Sequence, residues 1–473
     1  MRFLSVDVGA SGGKAFDLSY NGKKIQVAEI YRFPNIPVEI NGIDYWDILE
    51  IYKNILKSLE IILQKNEIES VGIDTWGVDF GLLDDRGFMM GDPMHYRNFY
   101  KFNSMQRVLD KVGKKWIFER SPTQFQPFNT IYQIAEMKEL GMKSIDCARI
   151  LLGIPSLLIY FLTGQKAIEF TFATTTQLYN PKLKGWDNEM IKTLDLPNIL
   201  PRIVSSSTVA EEIKLFGKKF KVVFPPTHDT GSAFACVSDE NAMIISAGTW
   251  FLEGILSKNP IKNENVMKYN FANEGCIDGG YRLLSQTTGM WLIEELKRKW
   301  KVGYDELIEM ARTAKPFAGM IDANSYDLQK PQDMELAIVN ESVKFGKRIE
   351  SKAEIVRTAF EGIAMKTKWS LEKLEEVSGR KMKKIRMLGG ATRNKLICQF
   401  ISDAANLPVE AGPIEATAIG NGLSQMIAKD IIDLDDISDL VRESFEIERY
   451  EPENSGMWQK AYDKWKRVVD RRR

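Results

Sequence analysis

With 473 residues, the chain exceeds the size at which a single hydrophobic core stops growing, so two domains are expected. Its 44% hydrophobic and 27% charged residues are ordinary for a globular protein, and 64 Lys+Arg balanced by 64 Asp+Glu argue against a strongly basic nucleic-acid binder. Two histidines, His95 and His228, leave almost no room for histidine triads or multi-histidine metal sites, so acid–base work falls mainly to Asp and Glu.

Four dispersed cysteines, Cys147, Cys236, Cys276 and Cys398, show no CxxC and no short Cys/His spacing. Neither a zinc site nor a disulfide framework is expected, and reduced thiols fit a cytoplasmic protein. No apolar run nears the roughly 18 residues of a membrane span. Asp7 interrupts the N-terminal apolar run too early for a signal peptide.

The chain opens with three antiparallel strands: residues 3–8, residues 14–18 after a glycine-rich turn, and residues 25–31 after the hairpin signal Asn21-Gly22. Residues 46–65 carry a helical stripe of Ile48, Ile51, Tyr52, Ile55, Leu59, Ile62 and Leu63. A buried strand at 70–74 leads into Thr75-Trp76-Gly77-Val78-Asp79, and prolines and aromatics punctuate helices and loops over 98–220. A strand from Val222 gives way to a helix expected to start near Ser232. A further strand over 243–247 ends in Gly248-Thr249-Trp250, with its partner over 251–256. Helices over 352–377 and 394–406 and a strand over 384–388 complete the later half. Both halves begin strand, small-residue turn, strand, which suggests an internal duplication with domains at 1–240 and 241–473. The basic residues Lys464, Lys466, Arg467 and Arg471 to Arg473 read as a solvated helix face and a frayed tail.

Several elements could carry chemistry. In Asp7-Val8-Gly9-Ala10-Ser11-Gly12-Gly13-Lys14, glycines that tolerate positive φ would let backbone N–H groups approach an anion, Asp7 would hold Mg²⁺ through water, and Lys14 would touch a phosphate. An ordinary tight hairpin uses glycine equally well. Gly248-Thr249 and Gly389-Gly390-Ala391-Thr392-Arg393-Asn394 are further turns at strand ends, the latter opening a helix suited to an anion or nucleotide edge. Asp229, in Thr227-His228-Asp229-Thr230-Gly231, is either a helix N-cap or a carboxylate that accepts a proton from an attacking hydroxyl. Phosphoryl transfer asks little more of its base, because positioning and charge neutralisation supply most of the rate. Trp76, Gly77 and Asp79 suit either a sugar ring or a capped core tryptophan.

Taken together, these residues resemble the FGGY carbohydrate kinases and, among them, the rhamnulokinase group. The similarity spans nearly the whole chain. It includes Val6 to Ser11, Arg32-Phe33-Pro34-Asn35, Ile73 to Phe80 (IDTWGVDF), Tyr96-Arg97, Pro127 to Thr130, Ala173 to Leu178 (ATTTQL) and His228-Asp229-Thr230. The later half adds Gly248 to Trp250, Asn273-Glu274-Gly275, Gly289 to Leu292, Leu388 to Gly390 and Gly412 to Ala416. The resemblance implies an α/β fold of two actin-like (ribonuclease H-like) domains, each with a mixed central sheet flanked by helices, and an active site in the cleft between them.

It also implies Asp229 as catalytic base toward the C1 hydroxyl of a ketose, and Gly77, His228, Thr230, Trp76 and Asp79 as sugar contacts, joined by Gln286. Asp7, Ala10, Ser11, Gly12, Gly13, Lys14, Gly248 and Thr249 would serve the ATP phosphates and Mg²⁺, and Gly389, Gly390 and Asn394 the rest of the nucleotide. Three positions depart from the rhamnulokinase pattern: Lys14 replaces Arg, Gln286 replaces a sugar-binding Asn, and Glu294 replaces an ATP-facing Gln. The implied substrates are L-rhamnulose and MgATP, with L-fuculose, xylulose, ribulose or a polyol as neighbouring choices. A sugar or nucleotide sensor without catalysis is the reading from another class, and the presence of Asp229 counts against it. A cytoplasmic monomer or homodimer without nucleic-acid or membrane partners is expected.

Overall fold

Alternating apolar residues at the N-terminus fold as an antiparallel meander, β1 (Arg2–Gly9), β2 (Gly12–Tyr20) and β3 (Ile25–Pro34), in a computed structural model that describes residues 1–472. Gly22 takes φ 92° in the turn between β2 and β3, the left-handed backbone that glycine adopts without a Cβ penalty. Helix Ile48–Leu63 follows, capped by Asp47, which accepts from Glu50 N at 2.9 Å; it buries the apolar stripe read from the sequence. Then β4 (Ser70–Thr75) runs parallel to β1. The hairpin β5 (Thr208–Leu215) and β6 (Lys218–Phe224) joins through β6, parallel to β4. The sheet order is β5-β6-β4-β1-β2-β3. Its central strands are buried on both faces, and β1 accordingly reads as a nearly continuous apolar run.

A second sheet repeats the plan with β7 (Ala242–Ala247), β8 (Trp250–Ser257), β9 (Tyr281–Thr288), β10 (Lys384–Leu388), β11 (Val409–Ala411) and β12 (Glu448–Tyr450). Neighbours run β9-β8-β7-β10-β11-β12, with the short strand Ala272–Gly275 outside β9 at the edge. The pairings β8–β7, β7–β10, β10–β11 and β11–β12 are antiparallel, parallel, parallel and antiparallel. That is also the series β2–β1, β1–β4, β4–β6 and β6–β5 of the first sheet. The suggested duplication is thus visible as repeated topology.

The chain forms two compact units. The first takes Met1–Ser238, Leu256–Leu283 and Ala416–Ser444; the second takes Asp239–Ile255, Leu284–Glu415 and Phe445–Arg473. A single cut near residue 240 therefore does not describe the division, because two later segments return to the first unit. One of them, helix Ala416–Ile427, lies against the first sheet through small residues and amides. Asn421 Nδ2 donates to Asp74 Oδ2 at 2.5 Å, Gln425 Nε2 to the Leu4 carbonyl at 3.0 Å, and Ser70 Oγ to Gln425 Oε1 at 2.8 Å.

In the second unit, helix Lys352–Ser378 starts with a capping box between Ser351 and Glu354. Its Thr367 donates to the buried Glu253 of β8 at 2.6 Å. The C-terminal helix Ser455–Arg472 exposes Lys464, Arg467 and Arg471, while Lys466 pairs with Glu372 at 2.5 Å. Arg473, the end of the expected tail, lies outside the described residues. No helix among the described residues is long and apolar enough to cross a membrane.

Gly420 brings helix Ala416–Ile427 against backbone: an added Cβ would stand 1.8 Å from the Ser232 carbonyl oxygen. Gly420→Ala is expected to destabilise the protein by about 1–3 kcal/mol, the usual cost of overpacking. An unchanged melting temperature would show that the two helices do not meet there.

Candidate functional site

Three parallel strands of the first unit end on the same side of the sheet, and their ends carry carboxylates. Asp7 on β1 lies in register with Asp74 on β4. The ladder continues past β6, where Thr75 N donates to the Thr227 carbonyl at 2.9 Å and Thr75 bridges His228. Asp229 follows at once. Asp74 is fully buried; burial first, then the nearby Asp7 and Asp229 carboxylates, drives its carboxyl well above the usual range, which favours the neutral form.

The helix expected from Ser232 begins at Asp229 and runs Asp229–Phe234, because His228 takes the N-cap position without a side-chain cap bond. Asp229 is therefore not the N-cap. Its Oδ1 accepts from Thr230 N at 2.5 Å and Thr230 Oγ1 at 3.1 Å, and His228 Nε2 approaches the same oxygen at 3.4 Å. Its Oδ2 accepts no hydrogen bond among the described residues, and the side chain is 31% exposed.

Buried charge holds this segment. Glu169 is fully buried and accepts from five donors: Thr171 N and Oγ1, Ser206 Oγ, and Thr227 N and Oγ1, at 2.6–2.9 Å. Thr171 Oγ1 in turn accepts from His228 N at 3.1 Å. On the far side of His228, Arg282 donates from one nitrogen to Glu274 Oε2 at 2.7 Å and meets His228 Nδ1 at 2.9 Å. Its other terminal nitrogen donates to the Gly275 carbonyl. Burial alone would raise the Glu274 carboxyl, but the basic groups against it, the Arg282 guanidinium among them, pull it below the usual carboxylate range.

The IDTWGVDF block forms a tight loop after β4. Val78 has φ 67°, a strained value for a β-branched residue. Its N–H donates to Thr175 Oγ1 at 3.2 Å, and its carbonyl accepts from Thr130 Oγ1 at 2.7 Å. Gly77 is pressed on the same Thr175, 3.1 Å from where its Cβ would be. Motifs far apart in sequence, IDTWGVDF, PFNT and ATTTQL, thus meet here.

Asp79, expected among the sugar contacts, is fully buried and engaged by protein. Its Oδ2 accepts from Trp46 Nε1 at 2.7 Å, Trp76 Nε1 at 3.0 Å and Tyr96 N at 3.2 Å, and its Oδ1 from Gln133 Nε2 at 2.9 Å. It orients the two indoles, whose rings lie 4.1 Å apart. Trp76 is itself buried. His95 stacks on Trp46; burial first, and then Arg97, lowers its pKa to about 4, so the ring is neutral.

The turn joining β1 to β2 is a tight hairpin with Ala10 and Ser11 at its tip and Gly9 paired with Gly12. None of Gly9, Gly12 and Gly13 takes a positive φ, contrary to the expectation for this loop. Gly13 is required by packing instead, since its Cβ would fall 2.1 Å from the Phe33 ring. Asn35 Nδ2 ties the turn by donating to the Gly9 carbonyl at 3.0 Å. Lys14 stands opposite Asp7 in register.

In the second unit, the two nucleotide-side turns are neighbours, because β7 and β10 pair in parallel up to Ser246 and Leu388. Gly389 has φ 91°, and an added Cβ would lie 3.0 Å from the Ala247 carbonyl. Gly248 and Thr249 are exposed, and their carbonyls accept from Met290 N at 3.0 Å and Gly289 N at 3.2 Å. Beside Gly390 there is open space. Asn394 Oδ1 caps helix Lys395–Ala405 by accepting from Leu396 N and Ile397 N, while its buried Nδ2 has no partner. Gln286 is half-buried on β9, in this unit, and its side chain makes no hydrogen bond among the described residues. Glu294 is neutralised locally by Lys297 at 3.4 Å and by a hydrogen bond from Tyr304.

Comparison with known proteins identifies the family of the chain. Residues 2–221 match the N-terminal domain of the FGGY family of carbohydrate kinases, and residues 243–429 match its C-terminal domain. The chain is 33% identical over 481 residues to the rhamnulokinase of Bacteroides thetaiotaomicron, covering 99% of each chain. It is 34% identical over 459 residues to that of Oceanobacillus iheyensis, covering 94% of this chain and 97% of the relative. This chain belongs to the FGGY family of carbohydrate kinases.

Among solved structures, the FGGY fold recurs in a ligand-bound xylulose kinase from Lactobacillus acidophilus, with TM-score 0.84, 16% identity and coverage of 99% and 98%. It recurs in Plasmodium falciparum glycerol kinase with ADP, with TM-score 0.82, 19% identity and coverage of 99% and 98%. At these identities the likeness is one of fold, the paired actin-like α/β architecture. As an FGGY kinase, the protein phosphorylates a sugar with ATP.

In this FGGY kinase, the first unit brings Asp7, Lys14, Gly77, His228, Asp229 and Thr230 to the ends of the central strands. The second unit carries Gly248, Thr249, Gln286, Gly389, Gly390 and Asn394. Sequence reasoning missed Glu169, Arg282, Trp46 and Asn421 and gave Glu274 no role. Charged or amide residues inside otherwise apolar segments were the one signal available.

Burial pushes the Asp79 carboxyl up to about 7 against the pull of its donors. The folded chain thus holds this proton more tightly than an unfolded one, in which Asp titrates near about 4. Stability from the protonated form is complete below about pH 4 and is lost as pH rises through about 7. The melting temperature of wild type relative to Asp79→Asn should therefore fall across that interval. Parallel curves would exclude titration of Asp79 in the folded protein.

Proposed function

We propose that the protein phosphorylates L-rhamnulose at its C1 hydroxyl, with Asp229 as the base. The observation that carries this reading is the state of the Asp229 carboxylate. One oxygen is anchored by neighbours, and the other accepts no hydrogen bond among the described residues, on a side chain that is partly exposed beside the ends of the central strands. The sugar hydroxyl hydrogen-bonds to Oδ2 and passes its proton there as its oxygen attacks the γ-phosphorus. The bond from that phosphorus to the bridging oxygen breaks, and ADP leaves with the electron pair. Little covalent work is asked of the protein, so holding the hydroxyl in line supplies much of the acceleration.

His228, Thr230 and Gly77 bind the sugar in this reading, with Trp76 behind them, and Gln286 supplies an amide in place of the Asn. Ala10 to Lys14, Gly248 and Thr249 receive the phosphates, and Gly389, Gly390 and Asn394 the remainder of the nucleotide. The unpartnered Asn394 Nδ2 supports a nucleotide acceptor there. Among the described residues no three His, Cys, Asp or Glu side chains form a direct metal cage. Mg²⁺ keeps several waters and takes one or two carboxylates together with the phosphates. Asp7 would hold it through water, and when bound it neutralises phosphate charge. The substrate assignment leans on full-length relatives called rhamnulokinases and on the shared IDTWGVDF, ATTTQL and HDT blocks. We place the enzyme in the cytoplasm, as a monomer or homodimer.

A coupled ADP-release assay against ketoses, aldoses and glycerol tests the substrate. L-rhamnulose should give the highest kcat/KM. Preference for another ketose would move the substrate and point to Gln286, and absence of sugar-stimulated ADP release would favour a sensor. Asp229→Asn should fold and bind ATP yet lose about 10²–10⁴-fold in kcat, the usual weight of a general base; a near-normal kcat would remove Asp229 from that role. Asp7→Ala should raise the Mg²⁺ concentration needed for half-maximal activity, and an unchanged Mg²⁺ curve would separate Asp7 from the metal.

A further inference from the structure

The Arg282 guanidinium is 0% exposed, and its partners Glu274 and His228 have side-chain exposures of 7% and 12%. Burying such charges costs several kcal/mol per ion, and an apolar replacement often packs at least as well. Packing alone therefore gives no reason for a guanidinium at this position. Its contacts give one.

A guanidinium donates only, and it does not lose its proton in proteins. The 2.9 Å contact from Arg282 to His228 Nδ1 is thus a hydrogen bond only when Nδ1 presents its lone pair. A neutral His228 then carries its proton on Nε2, the nitrogen that faces Asp229 Oδ1 at 3.4 Å. The opposite tautomer would offer Nδ1–H to Glu274 Oε2 at 3.2 Å, an oxygen that Arg282 already fills at 2.7 Å, and would set that N–H against a guanidinium N–H and a lone pair against the Asp229 carboxylate. A doubly protonated ring would put Nδ1–H near Glu274 Oε2 at 3.2 Å, but at the cost of two cations 2.9 Å apart. The charged groups around the ring are Arg282, Glu274 and Asp229.

Arg282 also sits against the helix that Asp229 opens, since a Cβ on Gly231 would lie 3.1 Å from its Nη1. Glu274 and the Gly275 carbonyl fix the guanidinium from behind.

We propose that Arg282, held by Glu274, is a positioning residue that sets His228 as the Nε2–H tautomer and thereby turns Asp229 so that Oδ1 is anchored and Oδ2 faces the substrate hydroxyl. The 3.4 Å contact has the length of catalytic hydrogen bonds that tighten when substrate binds. This rests on the reading of Asp229 as the base.

Because the chain has only His95 and His228, its imidazole ¹⁵N spectrum is simple to assign, with His95→Gln as the reference. In the wild-type protein near neutral pH, His228 should show a protonated Nε2 and an unprotonated, hydrogen-bonded Nδ1. A protonated Nδ1 would overturn the proposal, and this measurement needs no variant at the arginine. Arg282→Met should yield a tautomer mixture and a kcat lower by about 10–100-fold, as for other outer partners of a functional histidine, with KM for ATP little changed. Arg282→Lys, which keeps the charge but loses the planar fork, should fall between. A lower kcat with a wild-type ¹⁵N pattern in both variants would mean that Arg282 acts only through folding, and would also overturn the proposal. The base reading fails separately, through an active Asp229→Asn protein whose His228 spectrum remains as expected.

Discussion

The segment that leads into His228 and Asp229 is arranged around one buried carboxylate, Glu169. Glu169 gathers five hydrogen bonds from Thr171, Ser206 and Thr227 and thereby ties the start of its own short helix to the segments at Ser206 and Thr227. A carboxyl group removed from water is tolerable only when its lone pairs are filled, and here they are filled by backbone N–H groups and hydroxyls of Thr171, Ser206 and Thr227. The direction in which Asp229 leaves the sheet follows from that bond set. A loop with the same residues and no Glu169 would leave five donors without their acceptor and would have no reason to keep this course.

Around this anchor the molecule places carboxylates closer together than free charge permits, and each is handled differently. Asp74 is buried between Asp7 and Asp229 and is driven toward its neutral form, with Asn421 donating to one oxygen. Asp79 is enclosed by two indoles, an amide and a backbone N–H, and serves to orient aromatic rings. Asp229 stays partly exposed, with one oxygen unoccupied. Chemically identical side chains thus hold different roles because burial and donor count differ.

The loop at Gly77 and Val78 shows how the scaffold retains an unfavourable backbone. Positive φ at a valine costs energy, and the bonds from Val78 to Thr175 and Thr130 hold it in place. The repeated sheet topology supplies the frame within each unit, with the glycine-containing turns at the ends of strands that lie side by side.

The sequence alone determined the elements and the identity of Asp229's cluster. The short apolar run of β1, the Asn21-Gly22 turn, the stripe of helix Ile48–Leu63 and the strand Lys384–Leu388 are local signals, and local backbone preference decides them. The glycines of the first turn were legible as necessary, but their cause was not: Gly13 answers to the Phe33 ring on a neighbouring strand rather than to positive φ. The helix expected from Ser232 starts three residues earlier, at Asp229, because His228 N donates to Thr171 Oγ1 and holds the cap position.

Only the tertiary structure assigned Glu169, Glu274, Arg282 and Asn421 their work, and only it returned Leu256–Leu283 and Ala416–Ser444 to the first unit. The physical reason is common to all of these. A buried charge or amide is stable only beside partners that satisfy it, and here those partners come from segments as far as 347 residues apart, a separation at which periodicity and propensity carry no information.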